Sequence, residues 1–244
     1  MGIFDFLTKK KSSFADLNVG YDIHSHILNG VDDGFTRATD SYEALRRYQE
    51  RGYKKLFLTP HMNLDSYSEN NETMLRERFC EFVDRIPGDI TLDLRLGAEY
   101  MVNETLDLNK EFLTYADKKV LIEMSYYYES PNIRETIFEL GLQGYSPVLA
   151  HPERYLYYTG KIKEIEIFVD MGCQLQLNIL SLTPYYSPET VVLANKLLEM
   201  NLYSYAGTDL HSLHQLSRIF EMTAEQSLMD KLNILMENNS ELFD

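Results

Sequence analysis

Cysteine, tryptophan and positive charge are all scarce in these 244 residues. The two cysteines, Cys80 and Cys173, stand far apart and neither belongs to a ligand-like pair, which excludes a disulfide framework and points to a reduced, cytoplasmic setting. Neither is followed by the phosphate-cradling loop of thiol phosphatases, and no glycine-rich nucleotide loop occurs, so covalent thiol catalysis is disfavoured. No apolar run approaches the ~20 residues that span a bilayer. The start, residues 1–7, is too short for a signal peptide and is interrupted by Asp5, and Phe6 breaks the myristoylation pattern. Lys9-Lys10-Lys11 allows weak contact with the inner membrane face, but a frayed terminus is the simpler expectation. Lys and Arg number 23 against 38 Asp and Glu, a net charge of −15, which repels nucleic acid. A small phosphorylated substrate stays open, because bound metals invert the local field.

What is present is an alternation. Apolar strand patterns at 19–25, 55–60, 91–98, 120–125, 146–150, 174–179 and 203–207 are separated by helical patterns at 38–51, 73–84, 132–142, 161–170, 189–200 and 213–237. Gly52, Gly141, Gly144 and Gly172 mark helix stops. There is no repeat, low-complexity tract or internal linker. The reading is one α/β domain over 19–244 behind a tail at 1–18, with a largely parallel sheet, either a barrel or doubly wound.

Histidine and carboxylate positions decide between those two. Strand one ends at His24 and His26, strand two at His61, and strand three at Glu99. Glu123 lies in strand four, His151 closes strand five, and Asp209 with His211 follows strand seven. Residues two apart on a strand share a side, so His24 can converge with His26, and Asp209 with His211. Donors from six strands meet only round a common mouth, as in a βα barrel. Taken singly, each has a duller explanation: a hydrogen-bonded core histidine, a solvated strand end, or a turn at Asp32-Asp33-Gly34. Their coincidence at one end of successive strands favours a divalent metal site.

Asp22-Ile23-His24-Ser25-His26, Thr59-Pro60-His61, Gly97-Ala98-Glu99, His151-Pro152-Glu153-Arg154 and Gly207-Thr208-Asp209-Leu210-His211 resemble the motifs of the PHP (polymerase and histidinol phosphatase) superfamily. The run from His24 to Gly34 and His-Pro-Glu-Arg at 151–154 are similar to the bacterial capsule-type tyrosine phosphatases. The resemblance spans about residues 19–211. It implies a distorted seven-stranded TIM-like (βα) barrel holding three divalent ions, commonly manganese, with iron or zinc as alternatives. His24, His26, Glu99 and Asp209 would hold the first ion. Glu99 would bridge to a second, held also by Glu123 and His151, while Asp33, His61 and His211 would hold the third. Arg154 would be catalytic, against the plainer reading of an ion pair with Glu153 or Glu164.

The implied activity is phosphotyrosine hydrolysis in proteins by a metal-bridging hydroxide. The implied client is the tyrosine-rich tail of a bacterial kinase controlling capsule or exopolysaccharide assembly. Four carboxylates against three dications leave about two positive charges, which suits a phosphate monoester dianion. Tyrosine clusters at 126–128, 155–158 and 185–186 follow strand ends and either wall the mouth or pack loops and a dimer contact. His214 and Arg218 receive no role. The competing expectations are a PHP phosphatase for histidinol phosphate or a sugar phosphate, a PHP nuclease, and a non-catalytic scaffold barrel. Oligomeric state does not follow from the residues.

Overall fold

The alternating pattern folds into a ring of parallel strands wrapped by helices. The structure, a computed structural model, describes residues 11–243. Residues 1–7, Lys9 and Lys10, and the readings made on them, lie outside that range. The strands are β1 (Lys11–Ser13), β2 (Tyr21–Asp22), β3 (Lys55–Leu58), β4 (His61–Met62), β5 (Asp93–Leu96) and β6 (Glu99–Met101). They continue with β7 (Lys119–Glu123), β8 (Ser146–Ala150), β9 (Gln174–Asn178), β10 (Tyr205–Gly207) and β11 (Thr223–Glu225). The helices are α1 (Ala38–Arg51), α2 (Glu72–Asp84), α3 (Ile133–Leu142), α4 (Ile162–Asp170), α5 (Pro188–Glu199), α6 (Leu213–Phe220) and α7 (Gln226–Asn238).

Strands two and three of the expected series are each broken in two. Leu58 pairs with Leu96 before the break, and His61 with Glu99 after it. Backbone hydrogen bonds from Gly97 N–H to the Leu58 carbonyl (2.9 Å) and from Glu99 N–H to the Pro60 carbonyl (3.1 Å) carry the pairing across. Pro60 has no N–H to offer the ladder, so the strand bends where it stands. Parallel pairing then runs β2-β3-β5 and β4-β6-β7-β8-β9-β10.

A parallel bridge between Ser25 and Leu210 brings the first unit against the last. Asp209 N–H donates to the His24 carbonyl (2.8 Å), and His26 N–H to the Leu210 carbonyl (2.9 Å). Asp22 fastens this seam from inside, accepting hydrogen bonds from the Tyr48 hydroxyl (2.7 Å), the Thr208 hydroxyl (2.6 Å) and the Thr208 N–H (3.1 Å). The architecture is a distorted seven-stranded βα barrel, joined at its seam by a bridge instead of a long ladder.

Alternate strand residues enter two apolar clusters, as expected when parallel strands are covered on both faces. Phe57, Leu121, Val148, Ala150 and Tyr205 line the inside with Tyr115 and Phe243, while Leu56, Leu58, Val120, Ile122 and Leu149 face the helices. Three expectations are corrected. Residues 11–18 are not a loose tail: β1 pairs antiparallel with β11, and Phe14 is buried against Phe220. That pairing also interrupts the helix expected at 213–237, which becomes α6 and α7. Gly141 lies inside α3, in open space where the helix runs on, whereas Gly52, Gly144 and Gly172 adopt positive φ at helix ends. Among the described residues no helix is long and apolar enough to cross a membrane.

Candidate metal centre

The nine donors picked from the sequence gather on one rim of the barrel. His24 and His26 follow β2, Asp33 sits in the next loop, and His61 and Glu99 open β4 and β6. Glu123 closes β7, His151 follows β8, and Asp209 and His211 follow β10. Both pairs lie beyond the ends of their strands, at Asp22 and Gly207, and flank the bridged residues Ser25 and Leu210; the last pair converges without strand pleating. Asp209 instead takes a left-handed backbone (φ 49°), as does His151 (φ 36°). Non-glycine residues seldom adopt that region, at a cost of about 1–3 kcal/mol, and functional sites are where it is tolerated.

Glu99 is the hub. Its Oε1 lies 2.9 Å from His151 Nε2, and its Oε2 lies 3.2 Å from His24 Nε2, 3.4 Å from His26 Nε2 and 3.1 Å from His61 Nδ1. Glu123 Oε1 stands 2.9 Å from the same His61 nitrogen. Asp209 Oδ1 is 3.4 Å from His24 and 3.3 Å from His26, and Asp33 Oδ1 is 3.4 Å from His61 Nε2 and 3.5 Å from His211 Nε2. Donor atoms within 4.8 Å of one another form three overlapping sets: His26, Asp33, His61 and His211; His24, Glu99, His151 and Asp209; and His61, Glu99 and Glu123. This partition differs from the one the family resemblance implies. Glu123 stands with His61 instead of His151, and His26 joins the outer set.

Do these residues suit cations? Glu99 Oε2 and His61 Nδ1 are buried, close together, and yet form no hydrogen bond. His24 Nε2 and His26 Nε2 face each other at 3.2 Å. Lone pairs aimed at shared space, with nitrogen and carboxylate donors and no thiolate, fit divalent manganese, iron or zinc. Neighbours fix the orientation. His26 Nδ1 bonds Asp32 (2.8 Å) and His24 Nδ1 bonds Gln176 (2.9 Å), which leaves both Nε2 atoms for a metal. Asp32 also accepts the His61 N–H (3.1 Å) and the Gly34 N–H (3.0 Å). Asp209 Oδ2 accepts from Arg154 Nη1 (2.7 Å) and Asn178 Nδ2 (2.8 Å), leaving Oδ1 toward the histidines.

Burial alone would push the Glu99 and Asp209 carboxyls up, but the surrounding histidines hold both well below the usual carboxylate range. For His61 burial opposes the charge, yet Glu123 and Glu99 outweigh it and push the imidazole up to about 9. A hydrogen bond with His211 holds Asp33 far down.

Asp32, Gln176 and Asn178 were missed as supporting groups. The signal for the last two lay in Gln174-Leu175-Gln176-Leu177-Asn178, where amides alternate with leucines on a strand otherwise buried. Asp32 carries no such mark, since Asp-Asp-Gly is also an ordinary turn.

A family model for capsular polysaccharide synthesis, CpsB/CapC, matches residues 20–241. The chain belongs to this family. Tyrosine-protein phosphatase YwqE of Bacillus subtilis is 27% identical over 231 residues, covering 91% of this chain and 90% of its own. Tyrosine-protein phosphatase CpsB of Streptococcus pneumoniae is 29% identical over 203 residues, covering 79% and 83% respectively. A crystal structure from work on these two proteins, described as unique metal-dependent tyrosine phosphatases, matches with a TM-score of 0.76 at 26% identity, covering 91% and 93%. A phosphotriesterase of Mycobacterium tuberculosis shares the fold, with a TM-score of 0.58 at 11% identity and 96% of each chain covered.

In this CpsB/CapC member a cavity of about 460 Å³ opens over the donors, lined by Asp33, His61, Glu123, Asp209 and His211 together with Tyr67, Tyr126, Arg154 and Tyr186. The ion pairs weighed for Arg154 do not form. Glu164 is engaged by Arg134, and Glu153 is buried under the Asn178 N–H (2.9 Å) and the Tyr203 hydroxyl (2.8 Å). The tyrosine clusters divide: Tyr126 and Tyr186 reach the mouth, Tyr155 and Tyr158 pack inside, and Tyr127 projects into solvent. Gln215, not His214, reaches the cavity from α6, accepting the His211 N–H at 2.6 Å. Cys173 is buried, its thiol pushed up to about 12, and neither cysteine lines the cavity.

Proposed function

We propose that this CpsB/CapC protein is a metal-dependent protein tyrosine phosphatase whose ions, three of them and manganese by preference, are held by His24, His26, Asp33, His61, Glu99, Glu123, His151, Asp209 and His211. The single observation that carries it is the hub at Glu99: four imidazoles turned on one buried carboxylate, directly beneath a cavity that an arginine borders. Bound divalent ions there supply Lewis acidity and lower the pKa of water toward ~7, so that hydroxide is available near neutrality.

The chain's own groups do the rest. Arg154 faces the cavity with N–H donors left beyond the one spent on Asp209, and a guanidinium matches phosphate oxygens as a fork. Gln176, Asn178 and Asp32 hold ligand side chains in one orientation. Tyr67 and Met101 border the space that receives a phenyl ring. Phenolate leaves readily, with a pKa of ~10, so no strong general acid is needed.

The cavity adjoins a second depression of about 580 Å³ that shares Asn63, Ser66, Met101 and Tyr126 and continues past Asn103, Glu104 and Pro131. A peptide flanking the phosphotyrosine lies along it. The client is a tyrosine-phosphorylated protein, and the tail of a bacterial capsule or exopolysaccharide kinase fits that description. The protein acts on the cytoplasmic side.

Phosphate release by manganese-loaded protein from a phosphotyrosine peptide, histidinol phosphate and a sugar phosphate tests the assignment. The peptide should lead in kcat/KM by about tenfold or more, a gap of roughly 1.4 kcal/mol in the transition state. A small ester in first place would make this a small-molecule phosphatase. Release of no phosphate from any of them would favour a non-catalytic scaffold.

A further inference from the structure

Arg154 is gripped as well as placed. Its guanidinium carbon lies 4.3 Å from the ring centroid of Tyr126 and 4.1 Å from that of Tyr186. The two rings come from different loops, one after β7 and one before α5. The grip is tied into the metal centre through Asn178, whose side-chain nitrogen donates to the Tyr186 hydroxyl (3.0 Å) and to Asp209 Oδ2 (2.8 Å). Asp209 Oδ2 in turn accepts from Arg154 Nη1 (2.7 Å), which closes a circuit of four side chains.

We infer that Tyr126 and Tyr186 are positioning residues for Arg154, flanking the guanidinium so that its free N–H edge meets the phosphate oxygens. The inference rests on the phosphatase reading and extends it. A delocalised planar cation stacks on aromatic faces, which a lysine ammonium cannot do with a defined plane. An arginine on a flexible stem would otherwise sample many rotamers, and a group misplaced by 1 Å can cost about 10²-fold in rate. Neither ring has to touch substrate for this to matter.

The test is a set of mutational cycles on manganese-loaded enzyme, reading kcat and KM on a phosphotyrosine peptide, metal content and the thermal midpoint. Tyr126→Phe and Tyr186→Phe keep the aromatic face and should stay within about threefold of wild type. The double leucine variant should lose about 10- to 100-fold in kcat/KM, mostly in kcat, with metal content unchanged. In an Arg154→Ala background the same leucine changes should cost less than about twofold, because residues that act through a shared partner are not additive.

An undiminished leucine penalty without Arg154 would overturn the inference, since the rings would then act on substrate themselves. So would phenylalanine variants as damaged as leucine ones, or leucine variants as active as wild type. Should the double variant lose metal or unfold, the half-exposed Tyr126→Leu alone decides by the same cycle. Wild-type enzyme inert toward the peptide removes the phosphatase reading, whereas active wild type with unaffected leucine variants removes only the positioning role.

Discussion

Glu99 has no exposure, and its two oxygens lie within 3.4 Å of nitrogens on His24, His26, His61 and His151. Replacing it with glutamine keeps the shape and removes the charge that offsets both metals and imidazolium. Glu99→Gln should therefore lose about 100-fold or more in manganese affinity and in kcat/KM while remaining folded, as metal analysis and circular dichroism would report. His61 supplies a second prediction, made for the metal-free protein. Its folded pKa, about 9, exceeds the unfolded value near 6.5, so its stabilising contribution is complete below 6.5 and is lost as pH rises through 9. His24 and His26 are raised too and act with the same sign. The thermal midpoint of chelated protein should fall between pH 6.5 and 9, while manganese affinity climbs over the same range as bound protons leave; a rising midpoint would refute it. At this scale eight donors were legible because chemically suitable side chains fell at one end of successive strands, whereas Asp33, in a loop, was marked only by the family resemblance. Asp32 and Asn178 were not, because a lone acid or amide does not disclose which neighbour it will orient.

Breaks in the strands, as much as the strands, build the centre. The interruption at Thr59 and Pro60 sets His61 opposite Glu99 in register, and left-handed turns at His151 and Asp209 re-aim two more donors. Gly34 shows how tightly the first loop folds back. A Cβ there would lie 2.2 Å from the His26 carbonyl oxygen and 2.6 Å from the His26 Cβ, a clash that only movement of the loop bearing Asp33 can relieve. Gly34→Ala should lose about 1–3 kcal/mol of stability in urea denaturation and bind manganese more weakly. An alanine variant as stable and as well loaded as wild type would show that the loop has slack. The positions of the seven strands and most helices were visible in hydrophobic periodicity. Their breaks were not, since Thr59-Pro60 also suits a plain strand end. The pairing of β1 with β11 was equally hidden: even its nearest partners, Ser13 and Thr223, are 210 residues apart in sequence, and nothing local in either strand announces the other.

Across the whole molecule the charge is −15, yet the site is meant for a phosphate dianion. Local cations have to reverse that field at the mouth, while the groove beside it keeps Asp65 and Glu104 without a basic residue of its own. Peptides with glutamates flanking the phosphotyrosine should therefore show a lower kcat/KM than lysine-flanked ones, with the gap narrowing as salt rises through the screening length of ~10 Å at 0.1 M. Equal rates for both peptides at low salt would place the flanking residues away from that groove. The central claim, that donors drawn from six strand ends act through bound cations on phosphotyrosine, is reached most directly by one measurement: phosphate release from a phosphotyrosine peptide before chelation, after it, and after manganese is restored. Activity should fall by about 100-fold or more on chelation and return with the metal. Full activity in protein verified to be metal-free would contradict the account.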